Sequence, residues 1–198
     1  MPGVSDPGSR LVASAQAAGA PYEGLPGASA AATAYVASGF SDPRYYFGGF
    51  FPRKAGERKA VLAALSGLDA SLVFYESPRR IADALAVIAE VFPAREVAVC
   101  RELTKRHEEV FRAMAPIAAE EFARRDAEEG VKGEIALVIC PPTAAEVEDN
   151  AAAQAASAAE RATELLASGE MSHKDIVAVL RREFGISRNE AYALVHER

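Results

Sequence analysis

SLVFYESPRR (71–80) reads as a strand handing over to a helix. Ser71–Glu76 has few polar breaks, as expected of a strand buried on both faces. Ser77 offers an N-cap, and Pro78 suits the first helical position, where a missing N–H is no loss. The pattern predicts a helix continuing to about Val91. The same rhythm repeats downstream. EVAVCREL (96–103) and EIALVIC (134–140) are apolar on both faces, and 108–114 fits a further strand. Residues 116–129 read as a helix with Glu-rich ends, stopped by Gly130. Buried strands separated by helices predict an α/β sheet covered on both sides.

Upstream, 45–51 is aromatic and strand-like, and 57–65 reads as a helix closed by Gly67. In LPGASAAATA (25–34), Pro26-Gly27 makes a turn and Ser29 caps a helix running to about Ser38. A short strand is expected over 21–25, and an Ala-rich helix over 9–18, ended by Gly19. At the start, MPGVSDPG (1–8) is loop chemistry, with Asp6 as an N-cap and Pro7 at the first helical position. Downstream, Pro141-Pro142 ends the sheet pattern, and the acidic, Ala-rich stretch 143–154 reads as a linker. Three helices follow within 155–198. The last two begin after Ser172 and Ser187, with Asp175 and Glu190 in capping-box positions. Gly185 turns between them, giving the outline of a helix-turn-helix.

The chain has 198 residues and a formal net charge of −6, so nucleic-acid binding would need a local basic patch. Half of the residues are hydrophobic, enough for a sizeable core. No apolar run approaches the ~18 residues of a membrane span, and no signal-peptide pattern is visible. A cytoplasmic location without membrane partners is the expectation. Cys100 and Cys140 each lie in an apolar run and read as buried thiols in a reducing compartment. The three histidines are too scattered for a metal motif, so no metal is expected.

Five segments could carry chemistry, and each has an ordinary alternative. The turn before the Ser29 helix would let a flat or anionic ligand approach its N–H groups, or it is simply a tight connection. FPRKAGER (51–58) joins Arg53, Lys54 and Arg58 to the aromatic residues before it, as on an RNA surface, or is a solvated loop. In YESPRR (75–80), Glu76 ends a buried strand, where α/β sheets bind ligands, and could accept from ligand hydroxyls. Arg79 and Arg80 could steer phosphate there, or Glu76 could pair with a neighbouring Arg. RELTKRHEE (101–109) crowds Glu102, Lys105 and His107 after another buried strand, which suits proton transfer, phosphate contact or an exposed turn. The C-terminal helices carry Arg181, Arg182 and Arg188, as a nucleic-acid reader or a packing module.

Together and in this order, SDPGSRLV, LPGASA, FFPRKAGER, VFYESPRRI, RELTKRHEEV and KGEIALVI resemble the bacterial small-subunit rRNA cytidine 2′-O-methyltransferases of the tetrapyrrole-methylase superfamily. The match covers most of residues 3 to 140, and the terminal helices resemble that family's small helical domain more loosely. The resemblance implies a tetrapyrrole-methylase-like two-domain α/β fold with a small C-terminal helical domain. It assigns 1–48 to the remainder of a cofactor domain and 49–142 to a second α/β domain. The first domain would be incomplete, because family members have a further sheet-half upstream.

The resemblance further implies S-adenosylmethionine bound between domains, and methyl transfer to the ribose 2′-hydroxyl of a decoding-centre cytidine. Pro26, Gly27, Ser29 and Ala30 would lie beside the cofactor. Glu76, with Tyr75 and Ser77, and the backbone near Leu103 would border its adenosine, with Gly133 to Ala136 nearby. Arg53, Lys54, Arg58, Arg79 and Lys105 would face the RNA of the small ribosomal subunit. A homodimer is the family expectation. Glu102, Lys105 and His107 are the local candidates for removing the hydroxyl proton. The alternatives are a truncated RNA-binding remnant without catalysis and a methyltransferase of the same superfamily acting on a small molecule.

Overall fold

A computed structural model describes residue 5, residues 7–41 and residues 43–196. Helix α1 spans Ser9–Ala17 and α2 spans Ala30–Ser38. Strand β1 (Tyr45–Phe50) leads into α3 (Ala55–Leu65), and β2 (Ser71–Glu76) into a 3₁₀ turn (Pro78–Arg80) and α4 (Ile81–Val91). β3 (Glu96–Arg101), β4 (Glu109–Met114), α5 (Ala115–Glu128) and β5 (Ile135–Ile139) complete the first compact unit, Met1–Thr143. The second unit, Ala144–Arg198, holds α6 (Ala144–Ser168), α7 (His173–Phe184) and α8 (Arg188–His196).

The five strands are ordered β1-β2-β5-β3-β4. Only β1 and β2 are parallel; β5 runs antiparallel to both β2 and β3, and β4 antiparallel to β3. All five β5 residues are buried, which explains its unbroken apolar run. Helices α3, α4 and α5 cover one face, where Leu62, Leu85, Ile88 and Phe122 meet Leu72, Phe74, Val97, Val99 and Leu137. Helix α2 covers the other face, where Ala31 and Ala34 lie against Val73, Ala98, Cys100, Ala136 and Val138. The small residues facing α2 let its backbone come close. Neither cysteine forms a disulfide, and burial pushes the Cys100 thiol up to about 12.

Several expectations change. Asp6 lies outside the described residues, and α1 starts at Ser9 behind Gly8, so Pro7 is not its first helical residue. Residues 21–25 form no strand. They pair with none of the five, and an isolated strand leaves its N–H and C=O groups without partners. The segment 143–154 is not a linker, because helix already begins at Ala144. Alanine and glutamate are strong helix formers, and the prolines that would stop them end at 142. Nor does a boundary fall at 48/49: α2 and β1 share a core with 49–142.

In the helical unit, Ala162, Ile176, Leu180, Ala191 and Val195 form the core. The capping box at Ser187 is complete, and the one at Ser172 makes only its forward half. Ser172 Oγ accepts from the Asp175 N–H, while Ser187 Oγ accepts from the Glu190 N–H as Glu190 accepts from the Ser187 N–H. Gly185 ends α7 at a φ of 65°, a left-handed conformation that glycine takes without strain.

β1 carries one irregularity that fixes how it sits on β2. Phe47 pairs with Val73 but Phe50 with Tyr75, so one residue is extra. A Cβ at Gly48 would stand 2.2 Å from Phe74 Cε1. Gly48→Ala should therefore lower unfolding stability by about 1–3 kcal/mol, measured by urea denaturation. Undiminished stability would show that the Phe74 ring moves aside freely.

Candidate functional site

The register brings the ends of four strands together. Glu76 ends β2 and pairs with Ile135, Ile135 pairs with Arg101 at the end of β3, and Arg101 pairs with Glu109 at the start of β4. YESPRR, RELTK and KGEIA thus meet at one end of the sheet. Helix α2 brings its N-terminus to the same place. The Ala31 N–H donates to Tyr75 Oη at 3.2 Å, and the Tyr75 ring is held by Phe47 and Phe50, with centroids at 4.8 and 5.6 Å. Leu103 and Tyr75 both pack against the α2 cluster.

Glu76 is buried, and both of its oxygens serve protein donors. Its Oε1 accepts from the Ser77 N–H at 2.6 Å and from Arg80 at 2.5 Å, and its Oε2 accepts from Arg58 at 3.1 Å. Arg58 is 2 % exposed, donates from Nε to the Pro52 carbonyl at 2.7 Å and lies against the Phe51 ring. This corrects the expectation that Arg58 faces RNA. It sits on the inward side of α3, and a buried guanidinium needs a countercharge, which Glu76 supplies. The Glu76 side chain is also 0% exposed, so a ligand hydroxyl does not reach it in this arrangement. The other basic residues differ. Arg53, Lys54, Arg79 and Lys105 are all exposed, and Lys54 pairs with Glu57 at 3.3 Å.

The RELTK turn is strapped to the start of β5. The Glu102 N–H donates to the Glu134 carbonyl at 2.9 Å, and the Glu134 N–H returns a bond to Glu102 Oε1 at 2.8 Å. Lys105 Nζ bridges Glu102 Oε1 at 2.9 Å and Glu134 Oε2 at 3.0 Å. Glu102 and Thr104 take left-handed φ values of 50° and 66°, which side chains adopt rarely. Gly133, at φ 96°, passes so close that a Cβ there would stand 2.5 Å from Glu102 Cγ. Hydrogen bonds from the Glu134 N–H and Lys105 hold the Glu102 carboxyl below its ordinary value, and Glu102 and Glu134 hold the Lys105 ammonium above its own. His107 is exposed two residues further on.

Of the residues expected beside a cofactor, Pro26, Gly27 and Ala30 are exposed and Ser29 is half-buried. Ser29 takes the N-cap position of α2 without a side-chain capping bond, and its carbonyl accepts from both the Thr33 N–H and the Thr33 hydroxyl. Sequence reasoning missed the Tyr75–Ala31 bond, for which a tyrosine at a strand end gave no signal. It also missed the Glu102–Glu134 strap, for which the only hint is the glycine of KGE.

Two outcomes follow from this geometry. Glu76→Gln should destabilise the protein by about 3–5 kcal/mol in chemical denaturation, because Arg58 would be left buried without a countercharge. A loss within ±0.5 kcal/mol would show that the triad is solvated. A carboxylate whose folded value is depressed stabilises above the unfolded value and loses that contribution as pH falls through the folded one. The Glu134 amide resonance should therefore titrate with a midpoint below 4.5, the ordinary value for Glu102, and Glu102→Gln should abolish that step.

A ribosomal RNA small subunit methyltransferase I from Micromonospora olivasterospora is 38% identical over 194 residues, covering 98% of this chain and 59% of the relative. One of the same name from Mycobacterium tuberculosis (strain ATCC 25618 / H37Rv) is 46% identical over 139 residues, covering 70% of this chain and 47% of the relative. The chain thus spans about half the length of these curated relatives. The crystal structure of the methyltransferase CobJ superposes with a TM-score of 0.51 at 19% identity, over 71% of this chain and 66% of that one, a likeness of fold. The family model of the tetrapyrrole (corrin/porphyrin) methylases matches residues 1–118, more than half of the sequence, and the chain belongs to that family.

Proposed function

We propose that this chain takes part in S-adenosylmethionine-dependent methylation of small-subunit rRNA, at the ribose 2′-oxygen of a decoding-centre cytidine. The observation that carries the reading is the meeting of four segments at one sheet end, beside exposed cations. These segments are the α2 N-terminus, Tyr75–Glu76–Ser77, the Leu103 turn and Gly133-Glu134. The names of the relatives, which specify the small ribosomal subunit's RNA, support the same substrate.

The residues suit a flat, partly polar cofactor. Ala30 and Ala31 present small side chains at a helix N-terminus, and among the described residues the Leu103 backbone groups make no hydrogen bond. Pro26, Gly27, Ser29 and Ala30 would hold one side of S-adenosylmethionine, and Leu103 with the Gly133 turn the other. Bound there, S-adenosylmethionine would supply an activated methyl group for the ribose 2′-oxygen. The protein's share is mostly positioning. Glu76 holds the Ser77 N–H, Arg58 and Arg80 in one knot, so its role is to shape the adenosine border. Glu102, whose Oε1 accepts from both the Glu134 N–H and Lys105, shapes the turn. Lys105, kept charged, contacts an RNA phosphate, as do Arg53, Lys54 and Arg79. His107 is the member of the proton-removing trio without a bonded partner among the described residues. The homodimer and the cytoplasmic location implied by the resemblance belong to the same proposal; among the described residues no helix is long and apolar enough to cross a membrane.

Calorimetric titration of the chain with S-adenosylmethionine, followed by methyl transfer to small ribosomal subunits and mapping of the modified ribose, tests the reading. Absence of both heat and transfer would favour a non-catalytic RNA-binding role. Lys105→Ala should reduce affinity for small-subunit RNA several-fold and leave S-adenosylmethionine affinity within about twofold. Equal losses would place Lys105 at the cofactor instead.

A further inference from the structure

Helices α7 and α8 enclose a groove of about 520 Å³ that the methyl-transfer reading does not use. Val177 and Ala178 give it an apolar lining. At its rim the rings of Tyr192 and His196, one turn apart on α8, stack with centroids 3.9 Å apart and planes within 9°. The His173 ring meets His196 edge-on at 5.1 Å. Tyr192 remains 54% exposed, so one face of a supported aromatic ring is open to solvent.

Lys174, Arg181 and Arg188 line the same groove, and none forms an ion pair with a described residue. Arg161 of the same unit, by contrast, is paired with both Glu164 and Glu183. From Ala144 onward the sequence is acidic, with ten Asp and Glu against six Lys and Arg. Half of those cations nevertheless gather here without a countercharge. Water and salt screen these exposed cations from one another, and an anion between them would gain from all three. A ligand that suits the whole groove carries negative charge and a flat ring together. An acidic peptide would use the cations and leave the stacked rings unoccupied, while duplex RNA keeps its bases stacked away from side chains.

We propose that this groove binds single-stranded RNA, with a base stacked on Tyr192 and flanking phosphates held by Lys174, Arg181 and Arg188. The inference rests on the proposed function only for choosing RNA among single-stranded polyanions. It assigns the helical unit the task of gripping an unpaired segment of substrate by a sequence-tolerant contact.

The test is fluorescence anisotropy of a short labelled single-stranded RNA on the full chain, with NMR of the Tyr192 and His196 ring signals. Tyr192→Ala should weaken binding about tenfold or more, and Tyr192→Phe, which keeps the ring, should restore it. The double variant Lys174→Ala and Arg181→Ala should flatten the dependence of log affinity on log salt by about 1.4. Unchanged affinity in Tyr192→Ala, with ring signals unmoved by RNA, would overturn the proposal. So would equal binding of blunt duplex RNA, or displacement by polyaspartate at equal charge concentration, which would point to a protein partner. Tyr192-dependent RNA binding in a chain that takes up no S-adenosylmethionine would leave this inference standing and remove the methyl-transfer reading. Cofactor binding and methyl transfer indifferent to Tyr192, with ring signals unmoved, would do the reverse.

Discussion

The buried carboxylate of Glu76, clasped by Arg58 and Arg80, is the constraint on which the first unit depends. Arg58 comes from α3 and also holds the Pro52 carbonyl, so the loop after β1 is fixed to the end of β2. Arg80 comes from the turn that opens α4, and the Ser77 N–H closes the same knot. Three connections that would otherwise be loose are bound to one side chain. Two cations share one anion, which leaves a surplus positive charge near the sheet end, and one Arg80 nitrogen is buried without a partner. Such an arrangement contributes less to net stability than to uniqueness, because desolvation offsets much of the attraction. What it provides is a fixed border for the site.

The strands and most helices were legible because their signals are local. Apolar runs of five or six residues, proline at helix starts and glycine at helix ends each act through nearby backbone geometry. The failures were of two kinds. At 21–25 and 143–154 the sequence contained the right residues for a strand and a linker, but a strand needs a neighbour, and alanine-rich acidic stretches stay helical unless something stops them. At the site, Arg58 was indistinguishable from Arg53 and Lys54 in composition. Only the phase of α3 separates the inward guanidinium from its exposed neighbours, and the decisive partner, Glu76, lies eighteen residues away. The family motifs pointed to one end of the sheet; they did not reveal which charged residues serve the scaffold and which remain available.

The division of labour among charges also reconciles an acidic chain with the polyanionic substrate proposed for it. Many of the described acids are already bound to arginines, as with Glu121 to Arg124 and Arg125, or Glu109 to Arg101 and Arg125. Those on α5 and β4 neutralise one another at short range and are screened beyond about a Debye length. The unpaired cations are then felt locally, despite the net charge of −6.

The packing of Glu102 over Gly133 couples the histories of two positions thirty-one residues apart. While a long side chain at 102 lies over the glycine, any side chain at 133 meets it, and the backbone there is strained for all residues but glycine. Shortening 102 would relieve the clash yet release the Glu134 N–H and Lys105 together. Neither single step leads to a working turn, so the pair is an epistatic unit. Homologues should cross between its two states only by changes at both positions, which makes this turn a slowly drifting landmark in an otherwise permissive surface.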